Sequence, residues 1–269
     1  MGIRSGALLA LLLGAGNSLV ADVLYSVTDL GSLGGGISSG SGINNAGQVT
    51  GSSWPLSSSS HAFLYSNGQM SDLGTLGGSF SVGEAINDAG QVAGFSDTFT
   101  NATRAFLYSN DQMTDLGTSG GTSSYGNGIN NAGQVTGFSG GSLTAHTLLY
   151  SNGQVVDLGP GIGYAINDAG QVTGASNGHA FLYSNGRITD LNDLIDPALG
   201  IPLTGAAGIN NHGQIVAGYG SRGGSYVYLL TPVPEPSTCA LLSIPLSVLL
   251  VWSRPFQLDA ETRSPSKLQ

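Results

Sequence analysis

The chain has 269 residues, of which only 9% are charged and 44 are glycine, with 16 acidic against 7 basic side chains and a formal net charge of −9. Between Asp22 and Val233 the only basic residues are Arg104, Arg187 and Arg222, so a polyanionic partner is repelled and nucleic-acid binding is excluded. The single cysteine, Cys239, falls in an apolar stretch near the C-terminus, which removes disulfides, thiolate catalysis and cysteine-ligated metals from the rest of the chain.

Residues 1–21 place Arg4 before the apolar run Ala7 to Leu13 and then small residues ending at Ala21, the layout of a secretory signal peptide. The run is too short to span a bilayer. Cleavage is expected after Ala21, with a cut after Ser18 as the alternative.

Residues 22–232 form a repeat domain. The segment Ile43-Asn44-Asn45-Ala46-Gly47-Gln48-Val49 recurs with its isoleucine at positions 86, 129, 166 and 209, giving spacings of 43, 43, 37 and 43. That period is in the range of propeller blades. A second element running from His61 to Gly74 recurs from Arg104, His146 and His179. Each element reads as a hairpin. In the first, Asn-Asn-Ala-Gly or Asn-Asp-Ala-Gly supplies a type I turn closed by a glycine able to take positive φ. In the second, Asn-Gly sits between Phe-Leu-Tyr and Met-x-Asp-Leu. Two hairpins per repeat make four short strands, a to d.

Val23 to Gly31 matches only a d strand, and the last unit, Ile209 to Leu230, supplies a, b and c before Pro232. The expected fold is therefore all-β, a β-propeller of about five four-stranded blades in which the N-terminal strand closes the last blade. An open solenoid is the alternative. The repeat units resemble the extracellular HAF repeat family, named for the His-Ala-Phe found here at His61 and His179.

No residue in the repeats is assigned a catalytic role. His61, Arg104, His146 and His179 share one repeat position, and Asp72, Asp115, Asp157 and Asp190 another. Pairing across Asn67-Gly68 sets Phe63 opposite Asp72 and makes His61 its diagonal neighbour, with the same geometry expected in the other repeats. A pair present in every blade, in which Arg replaces His, reads as a structural contact. Asn87-Asp88 and Asn167-Asp168 resemble calcium loops, yet the matching positions elsewhere are Asn45, Asn131 and Asn211, so they read as turn residues. No metal and no cofactor is expected. Strand alternation puts the variable b-to-c and d-to-a loops on one rim, and these are expected to carry Trp54, Phe80, Phe99, Tyr125 and Tyr164 as candidate ligand-binding residues, with packing between blades as their alternative role.

Residues 233–254 hold Val233-Pro234-Glu235-Pro236-Ser237-Thr238, the apolar stretch Thr238 to Trp252, interrupted by Pro245, and Arg254; a polar tail follows over residues 255–269. This order of Pro-Glu-Pro, short apolar helix and basic stop resembles the PEP-CTERM sorting signal of Gram-negative bacteria. The resemblance implies that Pro234, Glu235, Pro236 and Arg254 form a sorting motif read by an exosortase, a membrane processing enzyme. It also implies a transmembrane segment, and a protein anchored in the membrane and then displayed at the cell surface or outside the cell. The reading is an exported binding or structural module, not an enzyme, with exopolysaccharide or another surface protein as partner. An extracellular propeller hydrolase acting on polysaccharide is the alternative, although Glu84 is the only glutamate between the signal and the sorting motif.

Overall fold

The computed structural model describes residues 26–56, 59–140, 145–219 and 226–233. The predicted signal peptide, and the predicted sorting motif and transmembrane segment beyond Val233, lie outside these residues. What is described is built of antiparallel sheets in sequence order. The first holds β1 (Gly34–Ile43), β2 (Val49–Pro55), β3 (His61–Ser66) and β4 (Gln69–Asp72). The second holds β5 (Gly77–Ile86), β6 (Val92–Thr98), β7 (Thr103–Ser109) and β8 (Gln112–Asp115). The third holds β9 (Ser124–Ile129), β10 (Val135–Ser139), β11 (His146–Ser151) and β12 (Gln154–Pro160). The fourth holds β13 (Ile162–Ile166), β14 (Val172–Ser176), β15 (His179–Ser184) and β16 (Arg187–Asp190), and the fifth has β17 (Gly205–Ile209), β18 (Ile215–Tyr219) and β19 (Tyr226–Leu230).

Local chemistry sets both kinds of hairpin. Asn67 and Gly68 both take positive φ, as do Asn152 with Gly153 and Asn185 with Gly186, the twist a two-residue hairpin needs. The second repeat achieves the same with Asn110 and Asp111. Gly47 and its counterparts close the a-to-b turns at a φ near 75°.

Successive sheets pack face to face through their inner strands, β1 on β5, β5 on β9, β9 on β13 and β13 on β17. Each of the four joints holds one apolar cluster; the first gathers Ala62, Leu73, Val92 and Phe106. The others centre on Ala93, Ala105, Leu116 and Val135, on Leu149, Ile166, Val172 and Phe181, and on Ala180, Leu191, Leu203, Ala206, Ile215 and Ala217. Burying one such Phe or Leu contributes roughly 1.5–3 kcal/mol before conformational entropy is charged against it. Glycine on the inner strands permits this closeness: a Cβ on Gly83 would stand 2.2 Å from Thr50 Oγ1 of the preceding sheet, a contact no side chain tolerates.

The result is a propeller-like arc, and it departs from the expected closed ring at one place. The fifth sheet has three strands, because Pro232-Val233 stands where the other repeats carry Asn-Gly, and proline neither donates to a ladder nor takes the positive φ a two-residue hairpin needs. The expected closing strand forms no ladder among the described residues, since Ser26–Leu30 belongs to no sheet. No packing comparable to the four joints links the fifth sheet to β1, which is exposed along nearly its whole length where β5 and β9 are largely covered. Apart from closure, the segment from Leu191 to Thr204 replaces the short d-to-a connection with two 3-10 turns, Leu191–Leu194 and Pro197–Leu199.

Candidate functional site

Five a-to-b turns converge on the axis and line a cavity of about 300 Å³. The first asparagine of each turn organises it. Asn87 Oδ1 accepts from the backbone N–H of Ala89 at 3.1 Å and of Gln91 at 3.0 Å, while its Nδ2 donates to Gln91 Oε1 at 2.7 Å. The same Nδ2 donates to the carbonyl of Asn130 in the next turn at 3.0 Å. Asn44 reaches Asn87 O at 2.9 Å, Asn130 reaches Asn167 O at 3.0 Å, and Asn167 reaches Asn210 O at 3.1 Å, so a relay of amides crosses all four joints. Each glutamine then donates outward from Nε2 to a hydroxyl of the c strand, as Gln48 does to Ser66 at 3.0 Å and Gln91 to Ser109 at 3.1 Å. The amide orientations follow from this network.

The second residue of each turn makes a belt alternating Asn45, Asp88, Asn131, Asp168, Asn211. Asp88 Oδ1 accepts from the Asn45 N–H at 3.0 Å, and Oδ2 accepts from Asn45 Nδ2 at 2.9 Å and Asn131 Nδ2 at 3.2 Å. Asp168 accepts from the Asn131 N–H at 2.9 Å, from Asn211 Nδ2 at 2.8 Å and from Asn131 Nδ2 at 3.2 Å. The Asn45 backbone N–H, then its side chain, holds the Asp88 carboxyl below its usual range. The Asn131 backbone N–H does the same for Asp168. Both groups are therefore ionised near neutral pH and hold no proton to give. Setting each carboxylate between amides spares it an acidic neighbour. With five positions the alternation must break once, and it breaks between Asn211 and Asn45, at the open joint. Among the described residues no three His, Cys, Asp or Glu side chains gather as a metal site.

The pairing predicted for the c-to-d hairpins is present, with Phe63 opposite Asp72. His61 Nδ1 lies 2.9 Å from Asp72 Oδ2, His146 Nδ1 2.8 Å from Asp157 Oδ2, and His179 Nδ1 2.6 Å from Asp190 Oδ2. The aspartates also anchor the chain they lead into: the Gly74, Gly117 and Gly159 N–H groups donate to Asp72, Asp115 and Asp157, each at 2.7 Å. The second repeat departs from the expected geometry. Arg104 reaches past Asp115, its Nη1 donating to the carbonyls of Thr122 and Thr103, because the longer guanidinium overshoots the site the imidazole fills. Asp190 is raised by burial and lowered more by the Asn192 N–H and side chain and by His179, for a net downward shift.

The five candidate aromatic residues do not form one site, and four of them lie in strands. Trp54 is in β2, Phe80 in β5, Tyr125 in β9 and Tyr164 in β13; only Phe99 is in a loop. The inner strands of the first two repeats begin earlier than the glycine-rich connections suggested, at Gly34 and Gly77, and so take in residues read as loop. Phe80 and Tyr125 join a row of rings with Phe95 and Phe138, which the sequence reading missed, and within it the contact of Phe95 with Tyr125 crosses from the second sheet to the third. Phe80 and Phe95 have centroids 6.0 Å apart, Phe95 and Tyr125 5.0 Å edge to face, and Tyr125 and Phe138 4.7 Å stacked. Trp54 and Phe99 are different: 39% of Trp54 and 87% of Phe99 is exposed. Phe99 lies over Gly77, where a Cβ would come within 2.4 Å of its ring, and Leu56 lies over Gly34 in the same way one blade earlier. Both exposed aromatic residues stand on the rim away from the axial turns.

No family model matches this chain. No curated protein matches it either. Among solved structures it is similar to one described provisionally as a gluconolactonase, at 10% sequence identity and a TM-score of 0.40, over 66% of this chain and 69% of that one.

Proposed function

We propose that this chain is an exported surface module that binds through the rim carrying Trp54 and Phe99, and that it is not an enzyme. The observation that carries this reading is a division of labour. The polar side chains that recur in the repeats are engaged in internal contacts, His with Asp and Asn with the next turn, while Phe99 is 87% exposed on a loop that differs between repeats. Exposed aromatic faces beside polar loops suit the alternating apolar and hydroxyl faces of a polysaccharide. The ionised Asp88 and Asp168 carry no transferable proton, which speaks against general-acid chemistry at the axis.

Exopolysaccharide is the proposed ligand class, with another surface protein as the second. The secretory layout of residues 1–21 and the Pro234-Glu235-Pro236 motif support export, membrane anchoring and processing by an exosortase. The finer reading of the fold, a ring whose N-terminal strand completes the fifth blade, belongs to the same proposal. Affinity electrophoresis of the protein through gels holding candidate polysaccharides tests it. Retardation is expected, and Trp54→Ala and Phe99→Ala should each weaken it about fivefold to tenfold, the effect of removing an aromatic anchor. Unchanged mobility of both variants in a gel that retards the parent refutes the rim as the binding site.

A further inference from the structure

We infer that the outer edge of β19, together with the apolar groove beside it, is the seat of Ser26–Leu30 from the same chain, with Val27 in the groove. This deepens the ring reading above by naming the register, the occupant and the side chain that locks it. The groove, about 570 Å³, is lined by Leu182, Leu191, Ile215 and Leu230, with Leu194 and Leu199 of the 3-10 segment at its border. At the joint between the first two sheets the counterparts of its first four lining residues are Leu64, Leu73, Val92 and Tyr108, and there the same cluster also takes in Met113. Met113 is the cross-strand partner of Tyr108. The groove is therefore the place that Met113 fills in the second sheet, left open in the fifth because β19 has no fourth strand.

The register follows by transposition. Tyr108 faces Met113 and Phe106 faces Asp115. Because Asp29-Leu30-Gly31 repeats Asp115-Leu116-Gly117, the segment places Val27 opposite Leu230 and Asp29 opposite Tyr228. Tyr226 then takes the position of His61 and offers Asp29 a phenol hydroxyl where Asp72 has an imidazole.

The segment is already anchored as a fourth strand would be at its far end. Gly31 N–H donates to Asp29 Oδ1 at 2.9 Å, as Gly74 does to Asp72 at 2.7 Å. Ser38 Oγ donates to Gly31 O at 2.8 Å, as Ser81 does to Gly74 O at 2.6 Å. Leu33 N–H donates to Ser53 Oγ at 3.0 Å, as Leu76 does to Ser96 Oγ at 2.9 Å. What remains unmade is apolar on both sides. Val27 is 96% exposed and Val227 62%, and Ile43 is 70% exposed, whereas Ala62 and Ile86, the counterparts of Val227 and Ile43, pack within the first joint. The occupant is the chain's own strand because the first and fifth turns line one axial cavity, so both ends of the array already share an axis. A strand tethered to the same array outcompetes the same strand of a second copy at ordinary concentrations.

The test is a disulfide between Val27→Cys and Leu230→Cys in the full chain carrying Cys239→Ser. The equivalent Tyr183→Cys and Ile188→Cys pair, whose residues face each other in the fourth sheet, is the reference. Pairs next to a two-residue hairpin's closing pair lie close enough for a disulfide. An intrachain cross-link at a yield within about twofold of the reference is expected. A covalent dimer shows that the seat takes the strand of a second copy and overturns the proposal, as does no cross-link where the reference forms. Hydrogen exchange covers the case in which cysteine variants fold poorly. The β19 amides should exchange at least tenfold more slowly in the parent than in Val27→Asp, and equal rates overturn the seat. Neither readout uses a glycan, so failure here leaves the binding reading of the rim untouched, and a cross-link without retardation in the polysaccharide gel separates the two the other way.

Discussion

Replacing Asn87 by alanine tests whether the amide relay holds the blades together. Asn87 is 4% exposed and its side chain makes four hydrogen bonds, two accepted from the backbone of its own turn, one donated to Gln91 and one donated across the joint to Asn130 O. At a net 0.5–1.5 kcal/mol each, and with water from the axial cavity able to reach some of the groups left behind, the loss should be about 2–4 kcal/mol. Asn210 supplies the internal control. It holds its own turn with the same bonds to His212, Gln214 N–H and Gln214 Oε1, but it is exposed and, although its carbonyl accepts from Asn167, its side chain makes no bond across a joint among the described residues. Asn210→Ala should therefore cost only about 0.5–1.5 kcal/mol. Urea unfolding followed by circular dichroism reads the difference, with the m-value as the check that both variants unfold from the same compact state. Equal losses in the two variants, or a loss under about 1 kcal/mol for Asn87→Ala, would sink the claim that the relay couples blades.

Two further outcomes follow from the same contacts. His61→Ala should lower stability by no more than about 1 kcal/mol, because the pair with Asp72 is partly exposed, and measured unfolding midpoints check this; a loss above about 2 kcal/mol would mean the histidine is a core element. For pH, Asp88 and Asp168 have folded values below the ordinary 3.8, so their contribution is complete above that value and disappears as pH falls through the depressed one. Unfolding midpoints measured down to about pH 2 should fall in this window, and Asp88→Asn should flatten the fall; an unchanged slope in that variant contradicts the assignment.

The parts of this fold that were legible in the sequence are those written locally. Asn67-Gly68 dictates a hairpin by its φ angles alone, and the hairpin then dictates that Phe63 faces Asp72. The absence of Asn-Gly at Pro232-Val233 was equally readable as the end of the last blade. What the sequence hid depends on neighbours distant in the chain. Nothing near Asn87 announces that its amide will reach Asn130 O, although the recurrence of a glutamine four residues after each such asparagine was a visible trace of the network. Phe95 and Phe138 were passed over because they stand in regular strands; Phe138 faces Tyr125 within the third sheet, and the contact of Phe95 with Tyr125 exists only once two sheets are stacked. Leu191 to Thr204 has no repeat counterpart, so periodicity said nothing about its 3-10 turns. The Arg104 departure was hidden too, because substitution at a shared position says that a side chain is tolerated there and not where its longer arm ends.

The third spacing between turns is 37 residues where the others are 43, yet the relay bond across it, Asn130 to Asn167, is 3.0 Å, the same as its neighbour. Six residues can be removed from the rim without being felt at the axis. Length and composition of the outer loops are thus free variables of the architecture, whereas the axial turns are its unit of measure. A lineage of such chains can change what it meets outside while keeping the hub that counts its blades, and an engineer can graft a loop at Phe99 with the same freedom.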